Sequence, residues 1–122
     1  MSMTSTASCR LFVRELPVET EIGARSDERG RRQLLIVDVE AEIAAPLFDE
    51  LTATPDYCAI VAAAQQIAEQ GHIVLIETYA QRLALACMAL SGVSAVDVMV
   101  RKPQALPPVM AGVRVTAGAR AR

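Results

Sequence analysis

The stretch "LLIVDVEAEI", residues 34–43, decides the fold. Leu35, Val37, Val39, Ala41 and Ile43 fall on one side of a period of two, and Asp38, Glu40 and Glu42 on the other. That period belongs to a strand, where successive side chains point to opposite faces. One apolar face and one charged face describe a sheet covered on one side only, which is the habit of antiparallel sheets.

Upstream, "CRLFVREL" alternates as well and predicts a strand at about 10–16. Its period places Leu11, Val13 and Glu15 on one face, with Arg10, Phe12, Arg14 and Leu16 on the other. "PVETEIGARSDERGRRQ" between the two strands is polar, holds Gly23 and Gly30, and reads as a long loop.

Downstream, residues 44–55 carry Pro46 and Pro55 and read as a connection. In "DYCAIVAAAQQIAEQG" the residues Ile60, Ala63, Ala64 and Ile67 recur at helical spacing, with Asp56 placed as N-cap and Gly71 as stop. In "GHIVLIETYAQRLALA", residues 71–86, the run Ile73 to Ile76 reads as a buried strand-like segment. It hands over at Glu77 to a second helix with the stripe Ala80, Leu83, Ala84, Cys87 and Met88, ended by Gly92.

"AVDVMVRK" returns to a period of two, setting Val96, Val98, Val100 and Lys102 against Asp97, Met99 and Arg101. Pro103, Pro107 and Pro108 then break the chain, and "GVRVTA" is a last short strand. The order β-β-α-α-β-β predicts an α+β domain: a four-stranded antiparallel sheet with both helices on one face. The opposite face, with Asp38, Glu40, Arg101 and Arg114, meets water or another subunit. The expected domain spans 10–117, with disordered tails at 1–9 and 118–122.

Composition narrows the function. The chain has 122 residues, 52% of them hydrophobic but only 3% aromatic, so its core is aliphatic and rich in small side chains. A small core and two open sheet edges favour an oligomer. A net charge of −2 argues against a nucleic-acid partner. Three widely spaced Cys and one His give no metal-ligand spacing and no Cys–His nucleophile system. Cys58 and Cys87 read as small buried apolar residues inside helices. No apolar run approaches a membrane span, and "MSMTSTAS" lacks the pattern of a signal peptide, so a cytoplasmic location is expected.

Four polar residues stand out, each with two readings. Glu77 is either a dipole-favoured residue of a helix start or a carboxylate that accepts two parallel N–H bonds from a planar ligand. Lys102 is either a rim lysine with its head in water or, by its phase on the covered face, a partly buried amine fit for proton transfer. Tyr57 is either a surface residue of a capping region or a proton-handling phenol. Glu28 in "SDERGRRQ" is either a solvated loop carboxylate or part of a site.

Taken in order, "IGARSDERGRRQLLIVDVE", "TPDYCAIV", "GHIVLIETYAQRLA" and "VMVRKPQAL" resemble the motifs of the dihydroneopterin aldolase family, from about Arg10 to Ala117. The resemblance implies a tunnelling fold, with subunits joined edge to edge into a tetrameric ring and two rings stacked into an octamer. It implies active sites between neighbouring subunits and a metal-independent retro-aldol cleavage. The substrate is 7,8-dihydroneopterin, cleaved to 6-hydroxymethyl-7,8-dihydropterin and glycolaldehyde in folate biosynthesis. No cofactor is implied, because the conjugated C=N of the substrate holds the charge released by C–C cleavage.

By the same resemblance Glu77 anchors the pterin, helped by backbone groups of Leu75 and Ile76. Lys102 transfers protons, Tyr57 of a neighbouring subunit handles protons at the reacting side chain, and Glu28 supports Lys102 and the catalytic water. Thr54 and Pro55 flank the pterin from the neighbour. The sequence departs from the family at Arg25 and Ser26, where bulkier apolar residues are usual, and at Pro55, which stiffens the loop before "DY". The rival readings are a 2′-epimerase of dihydroneopterin or its triphosphate, for which the arginines at 25, 29, 31 and 32 could serve, and a non-catalytic pterin-binding ring protein. Oxygenase side activity is a further option, since a dihydropterin carbanion can react with oxygen.

Overall fold

The computed structural model describes residues 7–118. The parts of the expected tails at 1–6 and 119–122 lie outside them. Strand β1 runs Ser8–Glu21, β2 Arg32–Ala44, β3 Val93–Leu106 and β4 Val109–Gly118. Helix α1 spans Tyr57–Ala68 and α2 Ile76–Met88. The strands form one antiparallel sheet in the order β1-β2-β3-β4. α1 packs over β1, and α2 over β3 and β4, so one face of the sheet is covered.

The alternation of residues 34–43 is realised as read: Leu35, Val37, Val39, Ala41 and Ile43 are buried, while Asp38, Glu40 and Glu42 face the open side. Val96, Val98 and Val100 join them beneath Leu83, Ala84 and Cys87 of α2 and Ile60 and Ala64 of α1. On the uncovered face Arg10 spans Glu40 and Glu42, and Arg114 meets Asp97.

β1 differs from the expected strand at both ends and in the middle. Ser8 and Cys9, expected in the tail, already pair with Ala44 and Ile43. The strand also runs through Pro17 to Glu21, so the loop is shorter than expected. An edge strand tolerates proline, whose missing N–H faces away from the ladder. Between Val13 and Leu16 the register shifts, with Glu15 at φ 58°. This bulge inverts the phase. Leu16 packs against the core instead of lying with Phe12, and Glu15 is exposed instead of covered. The Asp38 carboxylate holds the bulge by accepting the Glu15 N–H at 2.7 Å.

Three further expectations are corrected. The run Ile73 to Ile76 is not a buried strand: only Ile73 is buried, in an isolated bridge to Ile22, and Ile76 is already the first residue of α2. Val74 and Leu75 are about half exposed, at 48% and 46%. Cys58 is exposed on the outer side of α1, whereas Cys87 is buried as read. Pro103 does not end β3, which continues to Leu106 across an irregularity in its pairing with β4.

The helix ends follow local chemistry. The Asp56 carboxylate caps α1 by accepting the Cys58 N–H at 2.9 Å. Tyr79, fully buried, donates its hydroxyl to the Ala64 carbonyl at 2.8 Å and ties α2 to α1. Tyr79→Phe removes that bond and leaves the ring packed. The expected loss is about 1 kcal/mol of stability, read from urea unfolding midpoints; a loss under about 0.3 kcal/mol would mean that the bond contributes nothing net.

Candidate active site

The site begins with a gap in the ladder. Pairing of β2 with β3 ends at Ile36 and Arg101. β1 and β2 stay paired down to Glu21 and Arg32, and β3 and β4 down to Leu106 and Val109. Beyond Ile36 the sheet is therefore two separate hairpins with a cleft between them. The cleft holds about 220 Å³ and is lined by Gln33 of β2, by Lys102, Gln104, Ala105 and Leu106 of β3, and by Arg25, Glu28 and Arg31 of the intervening loop.

The loop from Ile22 to Arg31 turns on Gly23, at φ +144°, and on the 3-10 turn Ser26–Glu28. It folds the Glu28 side chain back onto Gly23, where a Cβ would collide with the Glu28 carboxylate. Glu28 is 95% buried, being only 5% exposed. A buried carboxylate needs donors, and this one has three. The Arg25 N–H donates to Oε1 at 3.1 Å, Gln33 Nε2 to Oε2 at 2.9 Å, and Lys102 Nζ to the same Oε2 at 2.7 Å. The hydrogen bond from Gln33, joined by those from Lys102 and Arg25, outweighs burial and lowers the Glu28 pKa to about 2.

Neighbouring groups hold the floor of the cleft. Gln33 Nε2 also donates to the Ile22 carbonyl at 2.7 Å. Behind the loop, His72 places Nδ1 2.9 Å from the Glu21 carboxylate and Nε2 2.8 Å from the Gly23 carbonyl. Lys102 is mostly buried, with 13% of its side chain exposed. An ammonium held by an ionised carboxylate at the base of a cleft is equipped to give a proton to a bound molecule and take it back.

The remaining residues singled out from the sequence fall into two groups. Leu75, Ile76 and Glu77 start α2. The Glu77 side chain is exposed and makes no hydrogen bond or ion pair among the described residues, with half-exposed Val74 and Leu75 beside it. This end of α2 lies by Ile22, hence at the same end of the sheet as Glu28. Thr54 and Pro55 lead into α1, and Tyr57 starts it, at the opposite end. Pro55 neighbours Gly92, just beyond the end of α2, while the far end of α1 bonds to Thr20 through the Ala68 carbonyl. Tyr57 is 58% exposed. One chain thus joins Glu28 and Lys102 directly, sets Glu77 at their end of the molecule, and keeps Tyr57 at the other.

Gln33 and His72 were not anticipated as parts of this structure. Gln33 had a signal: it lies in phase with Leu35 and Val37, so it is a polar residue on the covered face. His72 had none, since its two partners, at the end of β1 and the start of the following loop, lie about 50 residues away. No group of three or more His, Cys, Asp or Glu side chains suited to a metal ion occurs among the described residues. No helix there is long and apolar enough to cross a membrane.

Sheet, helix pair and split-hairpin cleft together define an α+β protein of the tunnelling fold, with a lysine–glutamate pair at the base of the cleft. The sequence profile described as "FolB: Dihydroneopterin aldolase" matches residues 11–117, and the chain belongs to that family of aldolases. Among solved structures, the dihydroneopterin aldolase of Burkholderia thailendensis bound to guanine is 29% identical, with a TM-score of 0.81 over 93% of each chain. The FolB protein of Vibrio cholerae is 27% identical, with a TM-score of 0.84 over 91% of this chain and 98% of its own. The E. coli dihydroneopterin aldolase in complex with neopterin shares the fold at 24% identity, with a TM-score of 0.81 over 90% and 99%. No curated protein matches in sequence.

Proposed function

We propose that this protein cleaves 7,8-dihydroneopterin by a retro-aldol reaction, yielding 6-hydroxymethyl-7,8-dihydropterin and glycolaldehyde as a step of folate biosynthesis. The observation that carries the proposal is the buried Glu28–Lys102 pair at 2.7 Å at the base of the cleft, in a chain of the aldolase family. In the reaction the 2′-hydroxyl loses its proton as the C1′–C2′ bond breaks. The electron pair passes into the conjugated C6=N5 system, and C1′ then takes up a proton. The substrate is its own electron sink, so the chemistry asks the protein for proton transfer and positioning.

Lys102 is assigned the proton transfer at the ring nitrogen and side-chain hydroxyl, with Glu28 holding its ammonium and a water. Glu77 is assigned the pterin anchor, accepting N–H bonds from the 2-amino group and adjacent ring nitrogen, with Leu75 and Ile76 presenting backbone groups to the ring. Guanine, the ligand of the Burkholderia relative, carries on its pyrimidine ring the same amino, ring N–H and oxo edge as a pterin, and an exposed, uncommitted carboxylate suits the amino and N–H part of it. Tyr57, Thr54 and Pro55 are assigned to the site of a second copy, because within one chain Tyr57 stands at the far end of the helix pair. A ring of four chains, stacked as an octamer, is the assembly proposed.

The test is incubation of the purified protein with 7,8-dihydroneopterin, followed by chromatography that also resolves the 2′-epimer. Equimolar hydroxymethyldihydropterin and glycolaldehyde are expected. Epimer alone would make the protein an epimerase, and unchanged substrate would leave it a binding protein. Glu77→Ala is expected to weaken neopterin binding about 100-fold, the worth of two charge-assisted hydrogen bonds at a partly exposed site. Near-native affinity in a fluorescence titration would remove Glu77 from the anchor role.

A further inference from the structure

We propose that His72 is a positioning residue of the cleft: as an imidazolium it latches the Gly23 carbonyl, and through Gly23 it seats the Glu28 carboxylate beside Lys102. This rests on the reading of the Glu28–Lys102 pair as the proton-transfer site and adds a control on it. His72 is the only histidine of the chain, and 7% of its side chain is exposed. Both groups that face its ring are acceptors, the Glu21 carboxylate at 2.9 Å from Nδ1 and the Gly23 carbonyl at 2.8 Å from Nε2. A neutral imidazole has one N–H and one lone pair, so it donates to only one of them. The imidazolium donates to both.

A proton on Glu21 instead is disfavoured by the surroundings of that carboxyl. A hydrogen bond from the Gly30 N–H, joined by one from His72, outweighs desolvation and holds its pKa below the ordinary carboxylate value. From β1 the ring thus faces an ionised Glu21, and from the loop it faces the Gly23 carbonyl, with Arg29 acting on Glu21. No other ion pair or hydrogen bond reaches the ring among the described residues.

The place of the latch gives it reach. Three successive carbonyls are committed: Glu21 to the Ile73 N–H at 3.1 Å, Ile22 to Gln33 Nε2 at 2.7 Å, and Gly23 to His72. Only the third bond depends on a titratable donor. Gly23 is also the residue whose missing Cβ leaves room for the Glu28 carboxylate. When the imidazolium gives up a proton, the remaining one stays on Nδ1, where its bond to the carboxylate is charge-assisted. The Nε2 lone pair then faces the lone pairs of the Gly23 carbonyl. The Gly23 N–H keeps its bond to the Ile73 carbonyl at 3.0 Å, so the peptide after Gly23 turns about that tie and the seat of Glu28 loosens. Activity therefore falls as pH rises through the range in which imidazoles titrate, about pH 5 to 8.

The experiment uses the full-length protein without added histidines. Its single imidazole is followed by nitrogen-edited NMR across that range, together with the amide proton of Arg25, which donates to Glu28. Single-turnover rates of dihydroneopterin cleavage are measured in the same buffers. Both ring nitrogens are expected to carry protons at the acid end. The Arg25 signal and the rate should change together with the ring, the rate falling about tenfold, the order of one lost buried hydrogen bond. His72→Gln and His72→Asn separate the two contacts. The Gln amide nitrogen takes the place of Nε2 and should restore most of the acid-side rate, without the step. The Asn amide nitrogen takes the place of Nδ1, leaves the Gly23 carbonyl unheld and should give the low rate at every pH. A ring with one proton at the acid end, an Arg25 signal indifferent to the ring's titration, or equal rates for the two variants would overturn the latch. If dihydroneopterin is not cleaved at all, the NMR signals still decide the latch and the aldolase reading falls alone. If it is cleaved at a rate indifferent to His72, the aldolase reading stands and the positioning role falls.

Discussion

Lys102→Met is expected to lower kcat for dihydroneopterin cleavage by ~10²–10⁴-fold, the range for loss of a positioned acid–base group. The affinity for neopterin should stay within a few-fold of that of the wild type. Methionine keeps the aliphatic stem that packs along the cleft and removes only the ammonium. The argument turns on where Nζ sits. It is 2.7 Å from the Glu28 carboxylate and mostly shielded from water, at a point where no other side-chain ammonium or imidazole lines the cleft. Removing it leaves Glu28 with the donors of Gln33 and Arg25. The carboxylate therefore stays ionised and in place, and the variant isolates the proton-transfer step. Rapid mixing under single-turnover conditions separates that step from product release. If the single-turnover rate is unchanged, Lys102 has no part in the chemistry.

The sequence carried the frame of this structure because the frame is periodic. The alternation at residues 34–43 and 95–102 and the helical stripes around Ile60 and Leu83 record burial on one face, and that record survives without knowledge of any partner. Even the phase of Lys102 was legible, since it continues Val98 and Val100 down the covered face. What the sequence did not show depends on distant groups. The bulge at Glu15 is held by Asp38 on the next strand, and no residue near Glu15 announces it. Val74 and Leu75 are apolar, yet they are half exposed because the chain there makes only the Ile73 bridge to Ile22, just past β1, before α2 begins. Glu28 looked like a solvated carboxylate in a charged loop. Its burial is made possible by Gln33 and Lys102, 5 and 74 residues away.

Gly23→Ala is expected to remove most of the catalytic activity without touching any residue assigned to the chemistry. Two effects combine. An alanine at φ +144° is strained, at a cost of about 1–3 kcal/mol. Its Cβ would also occupy the place of the Glu28 carboxylate. Of these two groups the carboxylate yields, because it is the free end of a side chain and the alanine is fixed in the backbone. Displaced, it loses the donors that hold its pKa at about 2, and Lys102 loses its partner. A pH signature follows from the same displacement. In the wild type the folded carboxyl titrates near 2 and the unfolded one near its ordinary 4.5. The unfolded chain therefore takes up the proton first, and the stabilisation from Glu28, complete above the ordinary value, is lost as pH falls toward 2. In Gly23→Ala the two values converge, and this part of the acid sensitivity should vanish. Melting temperatures of both proteins between pH 2.5 and 6 measure it. The expected result is a variant with a lower plateau and a shallower acid slope. Parallel curves would mean that the carboxylate has kept its donors and that the Cβ is accommodated elsewhere in the loop.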